Sequence, residues 1–261
     1  GRAVKGKAYV LQYVTRRRRF GYSPAVHFMI QQNISAVKER IRSVCESVPR
    51  DCSGVRIVAV SKGRSVEEIR LALAAGLRDI GENRVQEARE KYALSKRFTS
   101  PQIRWHMVGH LQSNKAGDAV RIFDLIHSVD SLKLAAELNR HAGSTGKVQE
   151  ILAQVNVSGE GTKSGLSPLE ARAAVKEMLS MPNIMVRGLM TISPYFFDQE
   201  EARPFFAGLR ELMEELNGGL PDNRRLEFLS MGMSGDFEAA LREGANILRL
   251  GRIIFEGGAP A

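Results

Sequence analysis

The sequence predicts one closed (β/α)8 barrel of the TIM type, an α/β fold, preceded by an additional N-terminal helix. Three observations carry this. From Met29 onward, short β-branched runs alternate with amphipathic helical stretches, the pattern of a parallel sheet. About eight such runs can be found, the number that closes a barrel. The chain has 261 residues, close to the roughly 250 that one such barrel needs. An open doubly wound sheet is the alternative.

The leading helix is expected over 30–48. Strands are expected over 55–60, 77–80, 103–108, 125–129, 150–157, 185–191, 226–231 and 246–250, most of them followed by a helix. Two helix starts are well marked. Ser65 with Glu68 has the spacing of a capping box, and Ser167-Pro168-Leu169-Glu170 adds a first-turn proline to the same device. Phe205, Leu209, Leu212 and Leu216 share one helical face, suited to packing on the barrel wall. No internal repeat or second-domain linker is visible. With 43% hydrophobic residues the chain can bury one sizeable core. It has no apolar run of about 18 residues, so no membrane span is expected.

The formal net charge is +9, and its position matters more than its size. Arg2, Lys5, Lys7 and the run Arg16 to Arg19 supply seven of those charges, with no acid before residue 29. The body is nearly balanced, so the charge describes residues 1–28 and not the fold. That basic arm is read as disordered or not native, sequence upstream of a start at Met29. A basic tail touching nucleic acid or anionic surfaces, and an Arg-rich targeting segment, are the other readings. Residues 29–261 are expected to form the barrel domain. Cys45 and Cys52 lack the C-x-x-C spacing of zinc or redox sites and are expected to be reduced thiols in a cytoplasmic protein.

In a barrel, chemistry collects where the strands end. Ser61-Lys62 follows strand one, Gly81-Glu82-Asn83 strand two, and the loop holding Lys163 strand five. Met233-Ser234-Gly235-Asp236 follows strand seven, and Gly251-Arg252 strand eight. The last two segments have the character of an anion site. Ser234 stands where a cap would start a helix over 236–243, and Gly232, Gly235 and Gly251 would let backbone approach a ligand. A cap with ordinary turn glycines is the competing explanation. Arg249 interrupts an apolar strand, so it should have a ligand or an acid partner, unless it faces outward and snorkels. Lys62 leaves a buried run, where desolvation would free its amine to attack an aldehyde. On position alone an ordinary loop lysine is favoured.

Two patterns are set aside. Gly159-Glu160-Gly161-Thr162-Lys163-Ser164 lacks the glycine that a Walker A loop needs before its lysine. His106 and His110 are four apart but straddle a strand end, and no third metal ligand is evident.

Several segments in order are similar to the pyridoxal phosphate homeostasis protein family, over about residues 30–257. They are Val60-Ser61-Lys62, the segment from Gly81 to Glu87, the segment from Trp105 to Lys115, Gly188-Leu189-Met190, the segment from Leu229 to Ser234, and Arg249-Leu250-Gly251-Arg252. The resemblance implies the barrel of the alanine racemase N-terminal domain and pyridoxal 5′-phosphate as cofactor. It implies that Lys62 forms the Schiff base. Ser234, with backbone near Met233, Gly251 and Arg252, would hold the phosphate. Arg249 would face the ring nitrogen, Asn83 would lie near the ring, and Lys163 would take part in cofactor exchange. Three positions depart from the family pattern. Arg84 replaces a frequent tyrosine, Gly235 a frequent acid, and Phe255-Glu256-Gly257 the usual Phe-Gly. Gly235 is expected to loosen the phosphate helix.

The implied function is a carrier or regulator in intracellular cofactor homeostasis, passing pyridoxal phosphate to apo enzymes, without robust catalysis. An arginine at the ring nitrogen weakens the electron sink, and no second domain is expected to supply the opposing acid/base of a racemase. A weak amino-acid racemase is the alternative, and a nucleic-acid module led by the arm is the third class. The resemblance also implies a monomer; no nucleic-acid and no membrane partner is expected, because the excess charge lies in the arm and no long apolar run is present.

Overall fold

A computed structural model describes residues 24–48, 51–98, 103–161 and 163–257. Residues 1–23 of the basic arm lie outside the described residues. The first helix, α1 (Pro24–Ser47), begins earlier than the periodicity predicts. Its buried stripe is Ile30, Ile34, Val37, Ile41 and Val44, so the apolar face starts where expected. The additional turns start on Pro24, whose fixed φ suits a first helical turn, and Val26 and Met29 pack partly against the core, so residues 24–28 are helical and not part of a disordered arm.

Eight parallel strands then close in chain order. They are β1 (Arg56–Val60), β2 (Asp79–Glu82), β3 (Arg104–Met107), β4 (Leu125–Val129), β5 (Gln149–Gln154), β6 (Ile184–Met190), β7 (Phe228–Ser230) and β8 (Ile247–Leu250). β8 returns to β1 with Arg249 opposite Val58, so the sheet has no open edge. The outer helices are α2 (Val66–Ala74), α3 (Val85–Ser95), α4 (Ala116–Ile122), α5 (Leu132–Ser144), α6 (Pro168–Met178), α7 (Arg203–Gly218), α8 (Phe237–Arg242) and α9 (Arg252–Phe255). Both expected capping boxes form, at Ser65 with Glu68 and at Ser167 with Glu170. Leu209 and Leu212 of α7 are buried against the wall as their spacing predicts and Leu216 partly so, but Phe206 and not Phe205 takes the buried place in the first turn. The (β/α)8 barrel with its extra helix is therefore the observed architecture.

Alternation along the strands divides the core in two. The larger part fills the space between sheet and helices. The smaller part is the barrel lumen: Val58, Leu125, Leu152, Met190, Phe228 and Ile247, with Val108 just beyond β3. β2 contributes Gly81, where an added Cβ would stand 2.8 Å from Val58 Cγ1. That crowding explains a displaced boundary. The sequence places strand two over 77–80, because Gly81 and Glu82 resemble a loop. In the fold the glycine is needed inside the lumen, and Glu82 is buried on the helix side.

Cys45 and Cys52 are disulfide-bonded, which overturns the expectation of reduced thiols. The end of α1 and the turn before β1 bring their Cα atoms to 5.9 Å, within the span a disulfide bridges. The argument from free thiols to a reducing compartment therefore does not hold. Among the described residues, no helix is long and apolar enough to cross a membrane.

Candidate functional site

Lys62 lies just past β1 and continues the lumen-facing row of Val58 and Val60. Its side chain is exposed at the mouth, so the desolvation suggested by the buried run before it is not what the fold provides. The turn that carries it is held from below by charge. Lys91 of α3 donates to the Ser61 carbonyl at 2.5 Å, to Glu82 Oε1 at 2.7 Å and to Glu87 Oε1 at 2.7 Å. Ser61 Oγ also donates to Glu82 Oε1, and the Gly63 amide donates to Glu87 Oε1 at 2.6 Å. Burial pushes the Glu82 carboxyl above its usual range, and the hydrogen bonds from Lys91 and Ser61 offset only part of this. Its Oε2 has no hydrogen-bond partner among the described residues. Burial would also raise Glu87, but the bonds from Lys91 and the Gly63 amide outweigh it.

On the opposite side of β1, Gly251 follows β8. An added Cβ there would lie 3.2 Å from the Val60 carbonyl oxygen, so backbone-to-backbone approach places Gly251-Arg252 beside the Lys62 turn. The β7 loop completes this corner. Ser234 does not cap α8, contrary to expectation: Asp236 holds the N-cap position, and no side chain caps that helix. Ser234 Oγ instead accepts from the Ile253 amide of α9 at 3.4 Å. The loop is tied by Asp236, whose Oδ1 accepts from the Met233 amide at 2.6 Å and whose Oδ2 accepts from Ser193 Oγ at 2.6 Å. Gly235 has open space around it, and the acid at the next position holds the turn. The amides of Ser234 and Gly235 have no protein acceptor among the described residues. Gly232 is required by its own backbone, with φ +92° and α8 packed against it.

Arg249 points inward and is 5% exposed, so it does not snorkel. Nor does any acid among the described residues contact it. One amine donates to Ser230 Oγ at 2.7 Å and the other to the Thr191 carbonyl at 2.8 Å. Thr191 is fixed for this by its own bonds, N–H to the Ser230 carbonyl and hydroxyl to the Val155 carbonyl. Burial pulls Arg249 down to about 10, with the Asp236 charge acting in the other direction, so it remains a cation at neutral pH. A guanidinium has five N–H donors, and two are used here.

Asn83 follows β2, and its backbone packs against Gly109, where a Cβ would meet Asn83 O at 2.4 Å. It borders a groove of about 430 Å³ together with Arg84, Gln86, His110, Gln112 and Lys115. None of the other seven predicted residues lines that groove. Lys163 sits in the β5 loop, paired with Glu160 at 3.0 Å, and no contact among the described residues joins it to Lys62 or Ser234. The two histidines of strand three separate. His106 enters the lumen, while His110 stands at the mouth beside Asp130 at 3.2 Å.

Sequence reasoning missed the supports of the site: Glu82, Glu87 and Lys91 under Lys62, Thr191, Ser230 and His127 behind Arg249, and Asp236. Some left a signal. Glu87 and Lys91 are an i,i+4 pair, and His127 is an ionisable residue inside the strand segment Leu125-Ile126-His127-Ser128-Val129.

The family model for the alanine racemase N-terminal domain matches residues 32–259. The pyridoxal phosphate homeostasis protein of Aquifex aeolicus is 42% identical over 224 residues, 86% of this chain and 96% of that one. The protein of the same name from Pseudomonas aeruginosa is 40% identical over 235 residues, 89% and 98%. The structure of PipY from Synechococcus elongatus with PLP bound superposes with a TM-score of 0.76 at 38% identity, covering 87% of this chain and 99% of that chain. An alanine racemase from Clostridium difficile, at 17% identity and TM-score 0.67, shares the fold. With this level of identity over nearly whole chains, the chain belongs to the pyridoxal phosphate homeostasis protein family.

Proposed function

We propose that this protein binds pyridoxal 5′-phosphate at the barrel mouth and acts in intracellular cofactor homeostasis, as a carrier or regulator without robust catalysis. The observation that carries this is Arg249. A buried cation with only neutral contacts, directed at a mouth that also presents the acceptor-free amides of Ser234 and Gly235, suits an anionic ligand.

In this proposal Lys62 is the covalent tether. Ser234, with backbone near Met233, Gly251 and Arg252, holds the phosphate. Arg249 faces the ring nitrogen, and Asn83 borders the ring. Lys163 acts in exchange, reaching the mouth by movement of its loop. When bound, pyridoxal phosphate supplies an electron sink for reactions at amino-acid carbons. Arg249 keeps its proton at neutral pH, so it offers the ring nitrogen a hydrogen bond without protonating it, and that weakens the sink. Apo enzymes are the proposed recipients, and the protein is proposed to act as a monomer. A cytoplasmic site of action belongs to the same proposal, and the Cys45–Cys52 bond is the observation that stands against it. Residues 29–261 are proposed as the binding unit, with the basic arm of residues 1–28 dispensable for uptake.

The test is an absorption spectrum after incubation with pyridoxal phosphate, followed by borohydride reduction and peptide mapping. Wild type should acquire a visible band and a reduced adduct on Lys62, and Lys62→Ala should acquire neither. No band in wild type refutes the proposal. Saturable interconversion of amino-acid enantiomers by the loaded protein would establish the racemase alternative instead.

A further inference from the structure

Behind Arg249 a chain of polar side chains runs through the lumen. Ser230 Oγ lies 2.8 Å from His127 Nδ1, and His127 Nε2 lies 2.9 Å from His106 Nδ1. His106 Nε2 lies 2.8 Å from Asp79 Oδ1, at the start of β2. Five side chains from β2, β3, β4, β7 and β8 thus connect the base of the barrel to its mouth. Both imidazoles and Ser230 are fully buried.

The two ends have fixed polarity. Arg249 can only donate, and an ionised Asp79 can only accept. Burial alone would raise the Asp79 carboxyl, but the hydrogen bond from His106 and the surrounding positive charge, Arg104 and Arg56 included, outweigh it and hold it below the usual range. Three proton arrangements connect these ends. In the first, Ser230 donates its hydroxyl to His127 Nδ1, His127 donates from Nε2 to His106 Nδ1, and His106 donates from Nε2 to Asp79. In the second, His106 is an imidazolium, and His127 donates from Nδ1 to Ser230. In the third, His127 is the imidazolium and donates to both Ser230 and His106. The second and third leave the Ser230 hydroxyl proton without an acceptor among the described residues, because its contacts are then both donors. An unsatisfied buried hydroxyl costs about 1–3 kcal/mol. The first arrangement satisfies every group and keeps both rings neutral. Burial, above all, and the nearby Arg249 cation also hold His127 well below its usual range.

We infer that Asp79, His106, His127 and Ser230 form a one-directional hydrogen-bond relay that positions the Arg249 guanidinium at the ligand's ring nitrogen. Successive bonds in a low-dielectric lumen polarise one another, so the Asp79 charge reinforces the lone pair that Ser230 presents to Arg249. These are positioning residues, since none touches the ligand. The inference rests on the proposed pyridoxal phosphate site.

Nitrogen-15 spectra of histidine-labelled protein at neutral pH, without ligand, test the relay itself. Neutral Nε2–H tautomers are expected for both His106 and His127. An imidazolium at His106, or an Nδ1–H proton on His127, overturns it. Pyridoxal phosphate titration tests the consequence. Ser230→Ala and His127→Leu should each weaken binding by about 10-fold and move the absorption maximum, with the Lys62 adduct still formed. His127→Gln, whose amide can donate to His106 and accept from Ser230, should restore most of both. Wild-type affinity and an unmoved band in Ser230→Ala overturn the positioning role. If His127→Leu fails to fold, Ser230→Ala and the spectra still decide. If wild type takes up no pyridoxal phosphate, the proposed site falls, while the histidine tautomers still decide the relay.

Discussion

The two sides of the barrel mouth are built by different physics. Under Lys62, on the β1–β2 side, a buried lysine and two glutamates hold the turn by charge. On the β7–β8 side, the Ser234 loop and Gly251 are held by backbone approach and by hydrogen bonds that one aspartate, Asp236, accepts. The first side uses its donors on itself. The second keeps amides and a cation in reserve. A tethering lysine needs a rigid base, whereas a phosphate site needs unspent donors, and the division follows that need.

Three measurements sharpen or break this contrast. Lys91→Met should have the largest effect, leaving Glu82 buried without a cation and destabilising the fold by about 3–5 kcal/mol, read by denaturant titration. The double variant Lys91→Met/Glu82→Leu should recover much of that loss, because the cost comes from the unpaired charge. A near-neutral single variant would show that the β1 side is not held by charge. Ser234→Ala should behave in the opposite way: stability nearly unchanged, pyridoxal phosphate affinity reduced about 10-fold. A loss of folding instead would make Ser234 structural. The smallest effect concerns pH and the base of the barrel. Because the Asp79 pKa is depressed in the fold, its contribution to stability is present above the ordinary carboxylate range and is lost as pH falls through the folded value. The difference in urea midpoint between wild type and Asp79→Asn should therefore narrow on acidification. A constant difference would mean that Asp79 is not ionised in the fold.

Much of this was legible beforehand, for local reasons. Capping boxes at Ser65 and Ser167 are short-range devices, and both form. β4 has the boundaries its apolar run predicts. Ser234 was misjudged as a cap because its partner, the Ile253 amide, is nineteen residues away across β8. The disulfide was missed because a helix end and a turn, and not a motif, set the distance between its cysteines.

By itself the sequence determined the alternation of strand and helix, the order of the mouth loops and the residue types that suit a phosphorylated aldehyde. These depend on neighbours within a few positions, or on motifs whose order the chain carries directly. Only the tertiary structure decided that Arg249 faces inward with neutral partners, that Lys91 supports the Lys62 turn, and that His106 and His127 share a hydrogen bond. Each of those depends on closing eight strands into a ring, which fixes the distances between residues far apart in sequence.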